Sequence, residues 1–203
     1  MVFHGSTEVF DERAFDFVAS YVSNINTDIM SFFTFMGTHS FLIPANLTLT
    51  ALYLFIKKRR WNSIKIPSVA LTSLLLMFTL KLIFQRDRPL TPLLYEAKGY
   101  SFPSGHALMS VTFYGLLIVI VWDNIKTPWV RWTLTILLVA LIFVIGFSRV
   151  YLRVHYASDV AAGFCVGLVW LIFSIWILGK LERYTQRKVK IKKDLSPPEN
   201  NIS

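Results

Sequence analysis

The twelve residues SRVYLRVHYASD, Ser148 to Asp159, stand between an apolar run that ends near Phe147 and another that begins near Val160. Two arginines, a histidine and an aspartate at such a junction each cost free energy in or near hydrocarbon. A chain that only had to cross a bilayer has no use for them, so the stretch marks a place where something is held.

On both sides of it the sequence is apolar. Of 203 residues, 54% are hydrophobic and 16% charged, with a mean hydropathy of +0.52, the balance of a small helical membrane protein. Five segments, near 37–56, 67–85, 105–122, 133–149 and 159–179, come close to the about 20 residues that a hydrocarbon core requires. The expectation is an all-α polytopic membrane bundle of one domain, residues 1–181, followed by a basic tail, 182–203, disordered at its end. Residues 12–31 read as one interfacial amphipathic helix, because AFDFVASYV is too short to span. No basic-then-apolar export signal precedes it. The single cysteine, Cys165, lies inside an apolar run and makes no intramolecular disulfide.

The distribution of positive charge sets an orientation. Residues 57–65 carry five Lys or Arg, 123–131 carry two and the tail from Lys180 carries seven, so fourteen of the 21 share one side. By the positive-inside tendency that side is cytoplasmic. The formal net charge of +9 is therefore a matter of topology, and nucleic acid is not an expected partner. Trp61, Trp129, Trp132 and Tyr184 fit an aromatic belt on the same side. The other seven cations, Arg13, Lys81, Arg86, Arg88, Lys98, Arg149 and Arg153, fall on or near the outer face, where positive charge needs another reason.

Three clusters project to that face. In KLIFQRDRP, Lys81 and Arg88 are seven residues apart, two helical turns, so they can share a face. Pro89 then stops the helix. In SFPSGHA, Ser101 to Ala107, Ser104 is a good N-cap, Gly105 lets backbone approach a ligand, and His106 sits in the first turn of the next helix, whose free N–H groups attract anions. In the third stretch Arg149 is a bidentate anion donor, and Asp159 follows His155 by four residues. A carboxylate that accepts from one ring nitrogen leaves the other free as a nucleophile. Two histidines, one with a carboxylate behind it, and several fixed cations suit phosphoryl transfer.

Written as K-x6-R-P (Lys81, Arg88, Pro89), P-S-G-H (Pro103 to His106) and S-R-x5-H-x3-D (Ser148, Arg149, His155, Asp159), the clusters resemble the tripartite signature of the type 2 phosphatidic acid phosphatases. These are integral membrane lipid phosphatases related to vanadium haloperoxidases. The resemblance covers about Asp11 to Leu181 and is complete at every signature position. It implies that His155 attacks phosphorus to form a phosphohistidine, with Asp159 orienting it. His106 would protonate the leaving oxygen and help activate water. Lys81, Arg88, Arg149, Ser104 and Gly105 would hold the phosphate. It implies no cofactor and no metal, cations serving instead. The family commonly has six membrane helices, so five here leads to the expectation that a first helix is missing.

The expected activity is removal of the terminal phosphate from a lipid phosphate or diphosphate at the outer leaflet of a bacterial inner membrane, with the lipid tail entering sideways between helices. Undecaprenyl diphosphate, phosphatidylglycerol phosphate, phosphatidic acid and lipid A are all compatible with it. A lipid phosphotransferase would use the same residues, and a non-catalytic lipid-phosphate or anion carrier is the remaining alternative. Among other polar residues, His39 and Asn46 suit helix–helix hydrogen bonds, and His4 falls in a mobile terminus. Arg86 and Arg153 would widen an anionic funnel with Asp87 pairing to one of them, and Tyr95, Glu96, Lys98 and Tyr100 would shape an entrance.

Overall fold

The computed structural model describes residues 6–56, 61–94 and 97–195. Among them lie seven helices and no strand: α1 Ser6–Ala19, α2 Asn24–Phe35, α3 His39–Phe55, α4 Asn62–Phe84, α5 Gly105–Asn124, α6 Pro128–Tyr151 and α7 Ala157–Leu195. Each of the five expected apolar segments is a helix. Four of them, α4 to α7, are long and apolar enough to cross a membrane. The fifth, α3, has 17 residues, about 26 Å at roughly 1.5 Å per residue, the short end of what spans. The fold is all-α, as the composition implied.

The apolar segments supply more side chains than the bundle can bury. Leu71, Leu75 and Leu82 on α4, Ile136 and Phe143 on α6, and Val169 and Ile172 on α7 stay exposed, an amount of outward apolar surface that suits helices long enough to cross a bilayer. Inside, α5 is the hub, packed on α4, α6 and α7. Half of its apolar window is buried, against a third or less for the other three spans. Leu42, Met77, Leu108, Val111, Phe113 and Ile145 form the core around it. The α5–α7 seam is close because Gly163 has no side chain: a Cβ there would stand 2.8 Å from the Ser104 carbonyl oxygen and 2.9 Å from the Ala107 Cβ.

Two expectations about the ends of the chain change. The single helix over 12–31 is two helices, broken between Ser20 and Ser23. Short polar side chains bond the backbone there and compete with the helix. Ser20 donates to Phe17 O at 2.9 Å, and Ser23 caps α2 by accepting from Asn26 N at 3.2 Å. The buried Tyr151 hydroxyl, at 3.2 Å from Thr27 Oγ1 and 3.3 Å from Ser23 N, pins this turn to α6. At the other end α7 does not stop near Leu181 but continues to Leu195. The disordered end expected for the tail falls on 196–203, which, with His4, the basic residues 57–60, Tyr95 and Glu96, lies outside the described residues.

The helices alternate in direction, so α4 and α6 finish where α3, α5 and α7 begin. Lys81, Ser104 to His106, Arg149, His155 and Asp159 are all within a turn or so of these ends. The cation-rich 123–131 connection and the end of α7 are at the opposite pole.

Candidate active site

A cavity of about 640 Å³ opens at the shared helix ends, lined by Lys81, Arg88, Gly105, His106, Arg149 and His155 among others. Six of the eight residues singled out from the sequence thus meet on one wall. The other two, Ser104 and Asp159, are buried behind it. They are joined through the backbone, Ser104 N donating to Asp159 O at 3.0 Å. Ser104 occupies the N-cap position of α5 without a side-chain cap bond, and its buried Oγ has no hydrogen-bond partner. A Cβ at Gly105 would sit 2.6 Å from Met77 Sδ, so any larger residue there displaces the flexible Met77 side chain.

His155 lies in the turn between α6 and α7, whose N–H groups at Val154 and His155 both return to Arg149 O, at 3.1 and 3.3 Å. Its two ring nitrogens have opposite surroundings. Around Nδ1 are acceptors, Ser101 Oγ at 3.3 Å and Asp159 Oδ2 at 3.5 Å. Near Nε2 is a donor, Arg88 Nη1, at 3.2 Å. That arrangement selects the Nδ1–H tautomer and puts the Nε2 lone pair on the side of Arg88, itself a cavity residue. Burial pushes the imidazole pKa down to about 3, the Arg88 and Arg149 charges adding to this and the Asp159 hydrogen bond opposing it. The ring is therefore neutral, the form a nitrogen nucleophile needs.

Asp159 is held on all sides. Its Oδ2 accepts from the Ser101 hydroxyl and, at 3.1 Å, from Tyr156 N. Its Oδ1 accepts from Arg86 Nη1 at 2.6 Å. The cations are also placed by the fold. Lys81 Nζ donates to Tyr100 O at 2.5 Å, Arg88 donates to Gly99 O and Val154 O at 2.8 and 2.7 Å, and Arg149 donates to Thr34 Oγ1 at 2.6 Å. His106 Nε2 is buried and has no partner.

These contacts correct several expectations. Arg86 does not widen a funnel; it is buried between Asp11 and Asp159, because two carboxylates compensate its desolvation better than water at the rim would. Arg153 lines a neighbouring pocket of about 380 Å³ together with Asp87 and Arg88. Asn46 bonds Leu42 O of its own helix at 2.8 Å, and His39 is exposed on the cavity wall. Among the described residues neither makes a helix–helix hydrogen bond. Lys98 and Tyr100 do line the cavity. Sequence reasoning missed the parts played by Ser101, Thr34 and Asp11. Ser101 opens the SFPSGHA stretch and was within reach of it; Thr34 and Asp11 carry no local signal.

Residues 63–183 match the family model described as the PAP2 superfamily. The chain belongs to the PAP2 superfamily. Phosphatidylglycerophosphatase B of Bacillus subtilis is 30% identical over 162 residues, 79% of either chain. The undecaprenyl-diphosphatase of Sulfolobus acidocaldarius is 31% identical over 71% of this chain and 66% of its own. The crystal structure of a transmembrane PAP2 type phosphatidylglycerolphosphate phosphatase from Bacillus subtilis superposes with a TM-score of 0.79 at 26% identity, covering 90% of this chain and 92% of that one. Aquifex aeolicus LpxE shares the fold, with a TM-score of 0.64 at 23% identity over 79% of this chain and 92% of its own. Six residues spread from Lys81 to His155, namely Lys81, Arg88, Gly105, His106, Arg149 and His155, line the cavity within the stretch that the family model matches.

Proposed function

We propose that this chain is a membrane phosphatase that removes the terminal phosphate from a lipid phosphate or diphosphate through a phosphohistidine on His155. The observation that carries the reading is the meeting of three cations, Lys81, Arg88 and Arg149, with His155 Nε2 and the unpartnered His106 Nε2 around one cavity. Three positive groups neutralise phosphate oxygens whose charge spreads in the transition state, a role that needs positioning more than covalent chemistry.

In the first step the Nε2 lone pair forms the N–P bond as the P–O bond to the lipid breaks, and His106, protonated once the anionic phosphate sits beside it, gives its proton to the departing oxygen. Asp159 and Ser101 accept from Nδ1 and stabilise the positive charge that develops on the ring. In the second step water attacks phosphorus, His106 takes its proton, the N–P bond breaks and inorganic phosphate leaves. No metal is required by this sequence.

The cavity wall supports entry from the bilayer. Phe78 and Leu82 line it and are 51% and 65% exposed on the outside of α4, so an apolar tail can lie against them while the headgroup meets the cations. The charge pattern supports an outward-facing site, because Lys126, Arg131 and the basic end of α7 lie at the opposite pole. The relatives named for phosphatidylglycerophosphate and undecaprenyl diphosphate support a lipid headgroup bearing phosphate or diphosphate.

The test is inorganic phosphate release from a panel of lipid phosphates and diphosphates, with EDTA present, by the wild type and His155→Ala. Release by the wild type that is lost in the variant is expected. Undiminished turnover in a folded His155→Ala would refute the mechanism.

A further inference from the structure

Asp11 lies on α1, 148 residues before Asp159, and neither touches the cavity. Even so, Asp11 is 2% exposed, on a helix whose Val9, Phe10 and Phe17 are about half exposed. A buried carboxylate on an otherwise open helix needs partners, and these are specific. Its Oδ2 accepts from Arg86 Nη2 at 2.7 Å and from Ser158 Oγ at 2.7 Å, and its Oδ1 accepts from Ser158 N at 2.8 Å. The same guanidinium uses Nη1 to reach Ser158 Oγ at 2.7 Å and Asp159 Oδ1 at 2.6 Å. Its carbon lies 4.0 Å above the Tyr156 ring.

We propose that Asp11, acting through Arg86 and Ser158, is a positioning residue for the carboxylate behind His155, which makes α1 part of the catalytic apparatus; this rests on the function proposed above. A guanidinium held at one end by a single carboxylate can still pivot about that contact. Held at both ends by two, with a ring across its face, it is fixed in plane and in rotation. Asp159 then presents Oδ2 to Ser101 and His155 in one orientation, because Oδ1 is anchored. Asp11 also accepts the Ser158 N–H in the first turn of α7, where a negative charge from outside the helix takes the place of an N-cap. One carboxylate thus secures both the start of α7 and the cation that aims Asp159.

Neither Asp11, Arg86 nor Ser158 lines the cavity, so disturbing them should leave substrate binding alone and slow the chemical step. Asp11→Asn keeps the shape and removes the charge and one acceptor. The expected loss in kcat is about 10- to 100-fold, taken by analogy from the partners that orient a metal-ligating imidazole, with KM within about twofold. A helix tether with only a structural role makes no distinction between backgrounds, whereas residues that act as a unit are non-additive. Asp11→Asn is therefore placed in the wild type and in Asp159→Asn. The proposal expects the full loss in the first and less than about a twofold further loss in the second.

A readout independent of turnover is the nitrogen spectrum of protein labelled at its four histidines. His155 should be a single Nδ1–H tautomer in the wild type and a mixture in Asp11→Asn. If Asp11→Asn is not recovered folded, Ser158→Ala, which removes only the bridging hydroxyl, carries both measurements with a smaller expected loss. Equal factors in both backgrounds, or an unchanged His155 tautomer, would overturn the proposal. If the wild type releases no phosphate from any lipid, the function proposed above fails and the tautomer measurement alone decides this one.

Discussion

Replacing Gly163 with Ala tests whether the α5–α7 seam sets the geometry of the site. The added Cβ would stand 2.8 Å from Ser104 O, 2.9 Å from Ala107 Cβ and 3.3 Å from Leu108 N. Two of these are backbone atoms that no rotamer can move aside. Carbon atoms separate comfortably at about 3.5–4.0 Å, so the helices must part by roughly 0.6 Å at that level. One turn away, Ser104 N donates to Asp159 O at 3.0 Å, and an opening of that size takes the bond beyond the about 3.2 Å normal for N–H···O. Overpacking of this kind destabilises by about 1–3 kcal/mol. A misplacement of about 1 Å can slow catalysis roughly 100-fold, so half that distance predicts about tenfold in kcat. The assay is steady-state phosphate release with thermal unfolding of the same preparation. Gly179→Ala, where nothing lies within 4 Å of the added carbon, is the matched control and should leave kcat unchanged, with a melting temperature equal or slightly raised because Ala favours a helix interior. A Gly163→Ala protein with wild-type kcat and melting temperature would show that the seam does not position the site.

Further perturbations separate the parts. Ser101→Ala removes the hydroxyl between Asp159 and His155 and should lower kcat about tenfold with little change in KM, measured by initial rates. Arg149→Lys cannot keep the Thr34 bond and offer a planar fork to phosphate and should lower kcat/KM about 100-fold. The His155 pKa, lowered in the folded protein to about 3 from 6.5, means that between these values the unfolded chain binds the extra proton. Stability from this group is full above about pH 6.5 and is lost as pH falls toward 3. Denaturation followed from pH 7 to 4 should accordingly show a shallower decline in His155→Asn than in the wild type. The same shift predicts that the acid limb of the wild-type kcat/KM profile shows no ionisation of the nucleophile near pH 6.5.

Much of the site was legible because its parts are local. Lys81 and Arg88 are two turns apart, Ser104 to His106 open a helix, and His155 and Asp159 are four residues apart across a helix start, all of them spacings that local geometry explains. That the three clusters meet follows from alternating helices of similar length. The bracing of the site was not legible, because it joins residues 75 and 147 positions apart, Asp11 with Arg86 and Asp11 with Ser158, and no periodicity records such pairs. The apolar faces fixed which residues are helical but not where Ser20 to Ser23 would interrupt them. That break depends on side chains bonding their own backbone and on a tyrosine from α6. Arg86 was misjudged for the same reason: a cation beside a cationic signature looks like part of the funnel until its two carboxylates are seen.

The unbroken course of α7 ties events at its two extremes together. At about 1.5 Å per residue its 39 residues extend roughly 58 Å, close to twice the about 30 Å of hydrocarbon it crosses. Asp159 rides in its first turn. The rod is therefore a natural pointer: a spin label or fluorophore near Lys188 would register any tilt that substrate imposes at the far end, through a membrane the probe itself never enters.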